Sequence, residues 1–173
     1  MKKYELTEET VTVYGKTLYR IRAVRDFGSV KTGEFGGYIE KEENLSHFGN
    51  AWISGDAWVY GNARVYGNAK VYGDAWVYGN AWVYGNAWVY GNAEVFNTRH
   101  FFVQGPIGSR DGYVTFYRTK DDTIGVRCGC FSGSLQKFVD RVEETHGGSR
   151  YEKEYKIAAE LAKVCIRLEG ESR

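Results

Sequence analysis

Apolar and polar positions repeat with a period of six through the middle of the chain. From Val59 to Glu94 the hexad Val-Tyr-Gly-(Asn/Asp)-Ala-x occurs six times in phase. Looser copies (FGGYIE, KEENLS, HFGNAW and ISGDAW) extend the repeat upstream to residue 35. Downstream, VFNTRH at 95–100 lacks the glycine and the alanine and ends the repeat. The pattern therefore predicts eleven hexads over residues 35–100.

Each hexad combines a short strand with a sharp corner. Side chains alternate in Ala-x-Val-Tyr, so Ala and Val share one face of the strand while x and Tyr share the other. The Gly-Asn pair then breaks the strand, because glycine adopts positive φ freely and Asn tolerates it. Three hexads make a triangular coil of 18 residues. Eleven hexads give about 3.5–4 rungs at the interstrand spacing of about 4.8 Å.

The hexads resemble those of the hexapeptide-repeat family, in which an aliphatic residue, two or three turn-prone residues and a small residue recur. This resemblance implies a left-handed parallel β-helix with three sides. Residues 1–100, with RDFGSVKTGEFGGYI ahead of the hexads, and the C-terminal segment with CGCF also resemble phage- and prophage-type YGNA-repeat proteins that carry a C-terminal α+β module. Many hexapeptide proteins transfer acyl groups from coenzyme A, so the family also implies an acyltransferase.

The segments on either side of the repeat are predicted to cap it. Within residues 1–34, ETVTVYG and TLYRIRAV predict a β-hairpin. Residues 101–112 are predicted to be a linker. Residues 113–173 begin with a predicted hairpin formed by YVTFYRT and TIGVRCGCF.

Two helices are predicted to follow this second hairpin. Ser134 is the expected N-cap of a helix over 135–146, and glycines at 147 and 148 end it. A second apolar-periodic segment predicts a helix over about 151–168. The predicted fold is mainly β: a three-sided β-helix with an N-terminal β-hairpin cap and a small C-terminal ββαα domain.

Stacking by 18 residues places outward aromatic side chains in columns on three faces. The first face carries Trp58 and Trp76, with Tyr60, Tyr78 and Phe96 beside them. The second face carries Arg64 and Trp82, with Phe48, Tyr66 and Tyr84. The third face carries Trp52, Lys70 and Trp88, with Tyr72 and Tyr90.

The five aromatic residues of the first face are the predicted interface of a homo-oligomer, a trimer or a dimer. Each aromatic side chain covers about 150–250 Å², and contiguous apolar patches of several hundred Å² usually mark an interface. The alternative is that the aromatic columns only stabilise stacked strands, by about 0.2–1 kcal/mol for each pair.

Charge and composition exclude several classes of protein. The chain has 23 Lys and Arg against 22 Asp and Glu, and residues 35–100 carry four basic and six acidic side chains. Phosphate neutralisation needs the reverse balance, so no nucleic acid partner is expected. No apolar run has membrane-spanning length and no leader follows Met1, so we expect a cytoplasmic protein without a membrane partner. Three cysteines do not form a secreted disulfide framework.

The histidines bear on the acyltransferase hypothesis, because acyl transfer needs a general base. His47 is predicted to lie at an inward position of an early coil. His100 ends the last hexad, and His146 ends the first C-terminal helix, where the helix dipole favours a cation. No loop interrupts the hexads between Leu45 and Phe96. Coenzyme A and a catalytic His100 or His146 therefore belong only to an alternative function.

Other candidate sites lie in the C-terminal part of the chain. Cys128 and Cys130 have no second pair to complete a four-ligand zinc site, so no metal is expected. The glycine-rich GPIGSR segment lacks the established nucleotide-binding spacings. Ser109, Arg110 and Arg118 are candidate ligands of a small anion, and the alternative is that this segment is a solvated linker.

The sequence therefore predicts a non-enzymatic, oligomeric β-helix binding protein without a cofactor. Its C-terminal module would bind a ligand or a host protein. The resemblance to phage proteins implies interference with host defence, for example by sequestering a nucleotide signal. The alternative is a coenzyme A-dependent acyltransferase.

Overall fold

The hexads form a parallel β-solenoid of about three turns, closed by β-structure at both ends. A computed structural model describes residues 1–169. The strands are β1 Tyr4–Val13, β2 Lys16–Ala23, β3 Phe35–Ile39, β4 Trp52–Ile53, β5 Trp58–Val59, β6 Arg64–Val65, β7 Lys70–Tyr72, β8 Trp76–Val77, β9 Trp82–Val83, β10 Trp88–Tyr90, β11 Glu94–Val95, β12 Phe101–Ile107, β13 Gly112–Arg118, β14 Ile124–Cys128 and β15 Phe131–Ser134. The helices are α1 Leu135–His146 and α2 Arg150–Cys165, and short 3-10 turns span Glu42–Asn44 and Thr98–His100.

Each face of the solenoid is a short parallel sheet. The first face belongs to a six-stranded sheet of order β1-β2-β3-β5-β8-β11, so the N-terminal hairpin extends it. The second face pairs β6 with β9, and the third has the order β10-β7-β4. Trp58 pairs with Trp76, and Lys70 pairs with Trp88. The N-terminal hairpin is confirmed, and so are the predicted columns, except that Phe48 makes no ring contact with Tyr66.

The interior of the solenoid consists of the small and branched residues of the hexads. Every hexad alanine from Ala57 to Ala93 and every hexad valine from Val59 to Val95 is fully buried. Tyr4 and Phe27 close the N-terminal end of this core, and Tyr117 closes the other end. Both ends of the stack are therefore capped, as a solenoid requires.

The first coil differs from the predicted register by two residues. Leu45 pairs with Val65, twenty positions later, whereas Ile53 pairs with Val71, eighteen positions later. The two extra residues lie in the corner between Leu45 and Ile53. The prediction that His47 points inward is therefore wrong. Leu45 fills the core position because burying its apolar side chain costs no hydrogen bonds, and His47 is only half-buried.

The C-terminal unit has four strands where the sequence predicted two. The antiparallel order is β12-β13-β14-β15. Most of the predicted 101–112 linker is strand β12, which pairs with β13. This strand forms because its side chains have two cores to enter: Phe101 and Val103 pack against the solenoid core, and Phe102 packs against the helices.

Strand β13 joins the two cores. Its alternating side chains point Val114 and Phe116 into the helix core, while Tyr117 enters the solenoid core. Thr115 Oγ1 accepts a hydrogen bond of 3.0 Å from the backbone N–H of Trp88 on the solenoid. The C-terminal unit is therefore fixed against the last coil by side chains of β13, together with Phe101 and Val103 of β12.

The two helices begin and end near the predicted residues, but α2 buries a different set. The Ser134 hydroxyl caps α1 by accepting from the Lys137 N–H. Helix α2 packs through Ala158, Ala159 and Ala162. The larger apolar residues Ile157, Leu161 and Val164 are exposed. Alanines face the sheet because they let the helix approach it closely.

Glycines with positive φ stack at the corners of successive coils. Gly49, Gly67 and Gly85 form one such column, with φ of +70°, +72° and +66°. A Cβ on Gly49 would lie 2.5 Å from the Gly67 carbonyl oxygen, and one on Gly67 would lie 3.1 Å from the Gly85 backbone nitrogen. A Cβ on Gly85 would have no atom within 4 Å. An alanine at any of the three sites would have a strained backbone, but the sites differ in the space available to its Cβ atom.

Alanine substitutions in this column are expected to destabilise in the order Gly49→Ala, then Gly67→Ala, then Gly85→Ala. All three substitutions are expected to lower the free energy of unfolding by about 1–2 kcal/mol, because alanine is strained in the left-handed backbone conformation. Gly49→Ala and Gly67→Ala are expected to lower it by about 1–3 kcal/mol more, because the next coil must move away from the added Cβ atom. Urea unfolding measures the free energies, and Gly85→Ala is the matched control. Equal losses of unfolding free energy at the three sites would contradict this order, because they would show that neighbouring coils can move apart without cost.

Candidate ligand-binding cleft

A cleft of about 750 Å³ opens where the third face of the solenoid meets the C-terminal unit. Asn86 and Trp88 line it from the last coil. The β12–β13 turn contributes Ser109 and Arg110, and α1 contributes Arg141. The cleft therefore depends on the packing of the C-terminal sheet against the last coil.

Aromatic rings form much of the wall of the cleft. Trp88, Tyr113 and Phe131 line it, together with Phe138 and Tyr155 from the helices. Phe138 lies edge-on to Tyr155, with ring centroids 5.7 Å apart. Tyr113 is partly exposed at the opening. These rings offer apolar faces to a planar group, a common arrangement in small-molecule sites.

The charged side chains that line the cleft are all cationic. Arg110, Arg127 and Arg141 line it, and none of the lining residues is Asp or Glu. Arg141 pairs with Glu144 at 2.9 Å, but both side chains are exposed, so water screens this pair. Among residues 1–169, neither Arg110 nor Arg127 has a carboxylate within 4 Å. The cleft is therefore electropositive.

The Arg127 guanidinium has no counter-ion within residues 1–169. It lies 5.5 Å from the ring centroids of both Trp88 and Tyr90. Its Nη1 donates long hydrogen bonds of 3.4 Å to the carbonyl oxygens of Cys130 and Phe131. Its Nε is buried without a partner among the described residues. Buried donors are normally paired, so Arg127 has capacity for a further acceptor.

A ladder of asparagine amides ends at the cleft. Asn50 Nδ2 donates to Asn68 Oδ1, and Asn68 Nδ2 donates to Asn86 Oδ1, each at 3.2 Å. Because the ladder runs in one direction, the amide N–H groups of Asn86 are its free end, and Asn86 lines the cleft. The solenoid thus adds neutral donors to the arginines.

The three residues predicted to bind an anion do not all lie at the same site. Ser109 and Arg110 line the cleft, but Arg118 does not. The Arg118 side chain is 3% exposed and pairs with Glu94 at 2.7 Å and with Asp122 at 2.8 Å. The expectation for Arg118 is therefore wrong, because carboxylates of its own chain satisfy its guanidinium.

Sequence reasoning missed Arg127, Arg141, Asn86 and Trp88 as residues of this cleft. The sequence does place Arg127 next to the CGC motif, and Arg141 lies on the polar side of the predicted helix. These positions give no sign that the residues converge, because the solenoid, a hairpin and a helix must first dock. Only the docked arrangement brings them together.

Two of the histidines have different environments. His146 lines the cleft, with its ring 5.6 Å from that of Tyr155. His100 is buried away from the cleft, and its Nδ1 accepts a hydrogen bond from the Phe96 N–H. Burial, and secondarily the charge of Arg118, lowers the pKa of His100 to about 4. His100 is therefore a neutral structural residue.

The first face does not present the surface that the sequence predicted. Tyr60 is only 6% exposed, because it packs in a cluster with Val13 and Leu18 of the hairpin. The Lys120 Nζ lies 4.0 Å from the ring centroid of Trp76. Trp58, Trp76, Tyr78 and Phe96 are half-buried. The chain's own caps cover part of the predicted interface, since the hairpin extends the same sheet.

Three exposed aromatic side chains lie on the second face. Phe48, Trp82 and Tyr84 are 82%, 47% and 49% exposed. Tyr84 stacks on Tyr66 with ring centroids 5.4 Å apart, and Arg64 lies over Trp82. Neither the hairpin nor the C-terminal sheet pairs with the strands of this face. Phe101 of β12 contacts Tyr84 with ring centroids 5.8 Å apart, so the C-terminal sheet covers this face only in part.

Residues 1–169 contain neither a metal-binding cluster nor a membrane-spanning helix. No group of three or more His, Cys, Asp or Glu side chains in this part of the chain is arranged to hold a metal ion. None of the helices in the same region has both the length and the apolar character that a membrane crossing requires.

The solenoid is similar to a known repeat family. The family model described as the YdcK beta solenoid repeat matches four overlapping segments, 57–73, 63–79, 69–85 and 75–91. These segments lie in the most regular coils. The chain is a β-solenoid repeat protein. A search of curated proteins finds no match to the chain.

The buried His100 predicts a pH dependence of stability. Its pKa of about 4 is below the ordinary value of 6.5. Between these values the unfolded chain binds a proton that the folded chain does not, so folding stability falls as the pH drops from about 6.5 to about 4. The full effect is about 3 kcal/mol.

Urea unfolding at a series of pH values measures this effect. His100→Asn keeps an acceptor for the Phe96 N–H and removes the titration, so its stability is expected to fall less steeply over this window. His146→Gln is the control and should keep the slope of the unmodified protein. An unchanged slope in His100→Asn would contradict the assignment.

Proposed function

We propose that this β-solenoid protein binds a small anionic ligand in the cleft between its last coil and its C-terminal unit. The observation that carries the proposal is the charge of the lining: three arginines and no carboxylate. Guanidinium groups hold phosphates and carboxylates by charge-assisted, often bidentate hydrogen bonds. An unpaired guanidinium beside a cleft is therefore a ready anion site.

The aromatic lining favours a ligand with a planar ring as well as an anionic group. Trp88 and Phe131 line the cleft beside Arg127. A cleft of about 750 Å³ lies within the usual range of about 300–1,000 Å³ for small-molecule sites. A nucleotide has both groups and this size. The resemblance to phage-type proteins supports a narrower version, capture of a nucleotide signal of host defence in the bacterial cytoplasm.

Calorimetric titration with AMP, adenosine and inorganic phosphate tests the proposal. AMP is expected to bind more tightly than either part, because it contacts both the rings and the arginines. Arg110→Gln combined with Arg141→Gln is expected to weaken AMP binding at least tenfold, since one charged hydrogen bond contributes about 1.5–3 kcal/mol.

Arg22→Gln, on the N-terminal hairpin, is a control for this titration, because it removes a positive charge from a residue that does not line the cleft. It should leave AMP affinity unchanged. Equal weakening by the control would mean that only net charge matters. Absence of heat with all three probes would contradict the proposal.

Acyl transfer from coenzyme A is a second candidate function, favoured by one observation. His146 lies in the lining of the cleft, where a general base for acyl transfer would have to be. Turnover of acetyl-coenzyme A that His146→Gln abolishes, while His100→Asn retains it, would establish the enzyme and replace the binding function. Binding of AMP without such turnover supports the binding function.

We also propose that the chain forms a homo-oligomer through the second face instead of the predicted first face. Phe48, Trp82 and Tyr84 expose apolar surface, and of the three only Tyr84 has a ring contact with the C-terminal sheet, through Phe101. Apolar surface of this kind is typical of an interface. Arg64 beside Trp82 adds a residue type enriched at interfaces.

Light scattering of a double variant tests this interface. Trp82→Glu with Tyr84→Glu is expected to convert the oligomer to a monomer, because two charges would have to be buried in the contact. Ile157→Glu is the control, since it places a charge at another exposed apolar position. A monomeric unmodified protein, or an oligomer that survives the double variant, would contradict the proposed interface.

A further inference from the structure

The turn between β14 and β15 brings two thiols to the anion cleft. Cys128 ends β14 and pairs with Phe131, so Gly129 and Cys130 form a two-residue turn. Gly129 has φ of +55°, as such a turn requires. Cys128 and Cys130 are free thiols, and both line the cleft.

The two thiols have different environments. Cys128 is half-buried, and burial raises the pKa of its thiol. Cys130 is exposed at the opening. Since the thiolate is the reactive form, a protonated and shielded Cys128 is the less reactive of the two. Cys130 has direct access to solutes that enter the cleft.

The arginines of the cleft determine which solutes meet Cys130. Arg110, Arg127 and Arg141 line the same cleft, and Arg127 Nη1 lies 3.4 Å from the Cys130 carbonyl oxygen. An electropositive cleft raises the local concentration of anionic reagents. This enrichment acts on exchange between Cys130 and a negatively charged disulfide.

We propose that Cys130 undergoes thiol–disulfide exchange with small anionic disulfides of the glutathione type, and that the resulting adduct closes the cleft to its ligand. The proposal rests on the positive charge of the cleft inferred under the proposed function. It adds a modification site, and with it redox control of binding.

The exchange balances without any other reagent. The Cys130 thiolate attacks one sulfur of the disulfide, a new S–S bond forms, and the original S–S bond breaks. The departing half leaves as a thiolate and takes up the proton that Cys130 released. The Cys130 sulfur is oxidised and the departing sulfur is reduced. The attached half keeps its carboxylates, which the cleft arginines can hold.

Cys165, which lies outside the cleft, supplies an internal reference for the reaction at Cys130. It lies on α2, is half-buried, and does not line the cleft. Comparing the two sites in one molecule removes differences in protein concentration and reagent quality. Comparing an anionic with a cationic disulfide at each site removes differences in exposure, because exposure affects both reagents alike.

The test follows adduct formation by peptide mass spectrometry with glutathione disulfide and with cystamine, which is cationic. The ratio of the anionic to the cationic rate at Cys130 is expected to exceed the ratio at Cys165 by roughly tenfold at low salt. Arg110→Gln with Arg141→Gln should reduce this excess. Arg22→Gln should preserve it.

Cysteine variants locate the adduct. Cys130→Ser should abolish the cleft adduct, and Cys128→Ser should retain it. AMP titration of the modified protein should show lost binding, which reduction restores. Equal rate ratios at Cys130 and Cys165 would overturn the proposal. So would an internal Cys128–Cys130 disulfide in place of the adduct.

The two proposals fail separately. If reduced protein does not bind AMP but Cys130 keeps its preference for the anionic disulfide, the proposed ligand is wrong and the modification site stands. If AMP binds to reduced protein and Cys130 shows no preference, the ligand site stands and the modification site is wrong.

Discussion

Backbone hydrogen bonding between successive coils is the constraint on which the rest of the structure depends. Each coil donates and accepts along its whole length, as in Trp58 N–H to Ala75 O and Asn62 N–H to Gly79 O. This pairing requires identical paths in neighbouring coils. A corner must then turn at positive φ every six residues, and the interior must be filled by residues of constant size. Glycine, alanine and valine meet those requirements, which leaves the outward positions free to vary.

The open ends of that stack account for the two added units. An uncapped coil exposes unpaired backbone groups and the edge of the apolar core. At one end the hairpin continues the first face as an antiparallel sheet. At the other end β13 closes the core with Tyr117. Capping therefore covers part of the first face and creates the cleft beside the third face.

The contrast between Arg118 and Arg127 shows how docking assigns chemistry. Both arginines lie in paired strands of one sheet. Arg118 meets Glu94 of the solenoid and Asp122 of its own turn, so its charge is neutralised inside the fold. Arg127 meets the rings of Trp88 and Tyr90 and two carbonyl oxygens, and no carboxylate of residues 1–169 pairs with it. The cleft is thus electropositive because carboxylates of the fold neutralise Arg118 but not Arg127.

The sequence alone determined the features that repeat within one coil: the hexad strand, the glycine corner, the buried Ala and Val, and the stacked aromatic columns. It also determined the hairpin and α1, whose turn and cap residues are neighbours in the chain. Tertiary structure decided the two-residue shift at Leu45, the strand over 101–107, the covered first face and the arginines of the cleft. These four features depend on contacts between segments far apart in sequence. The hexad repeat predicts only the structure that recurs from one coil to the next.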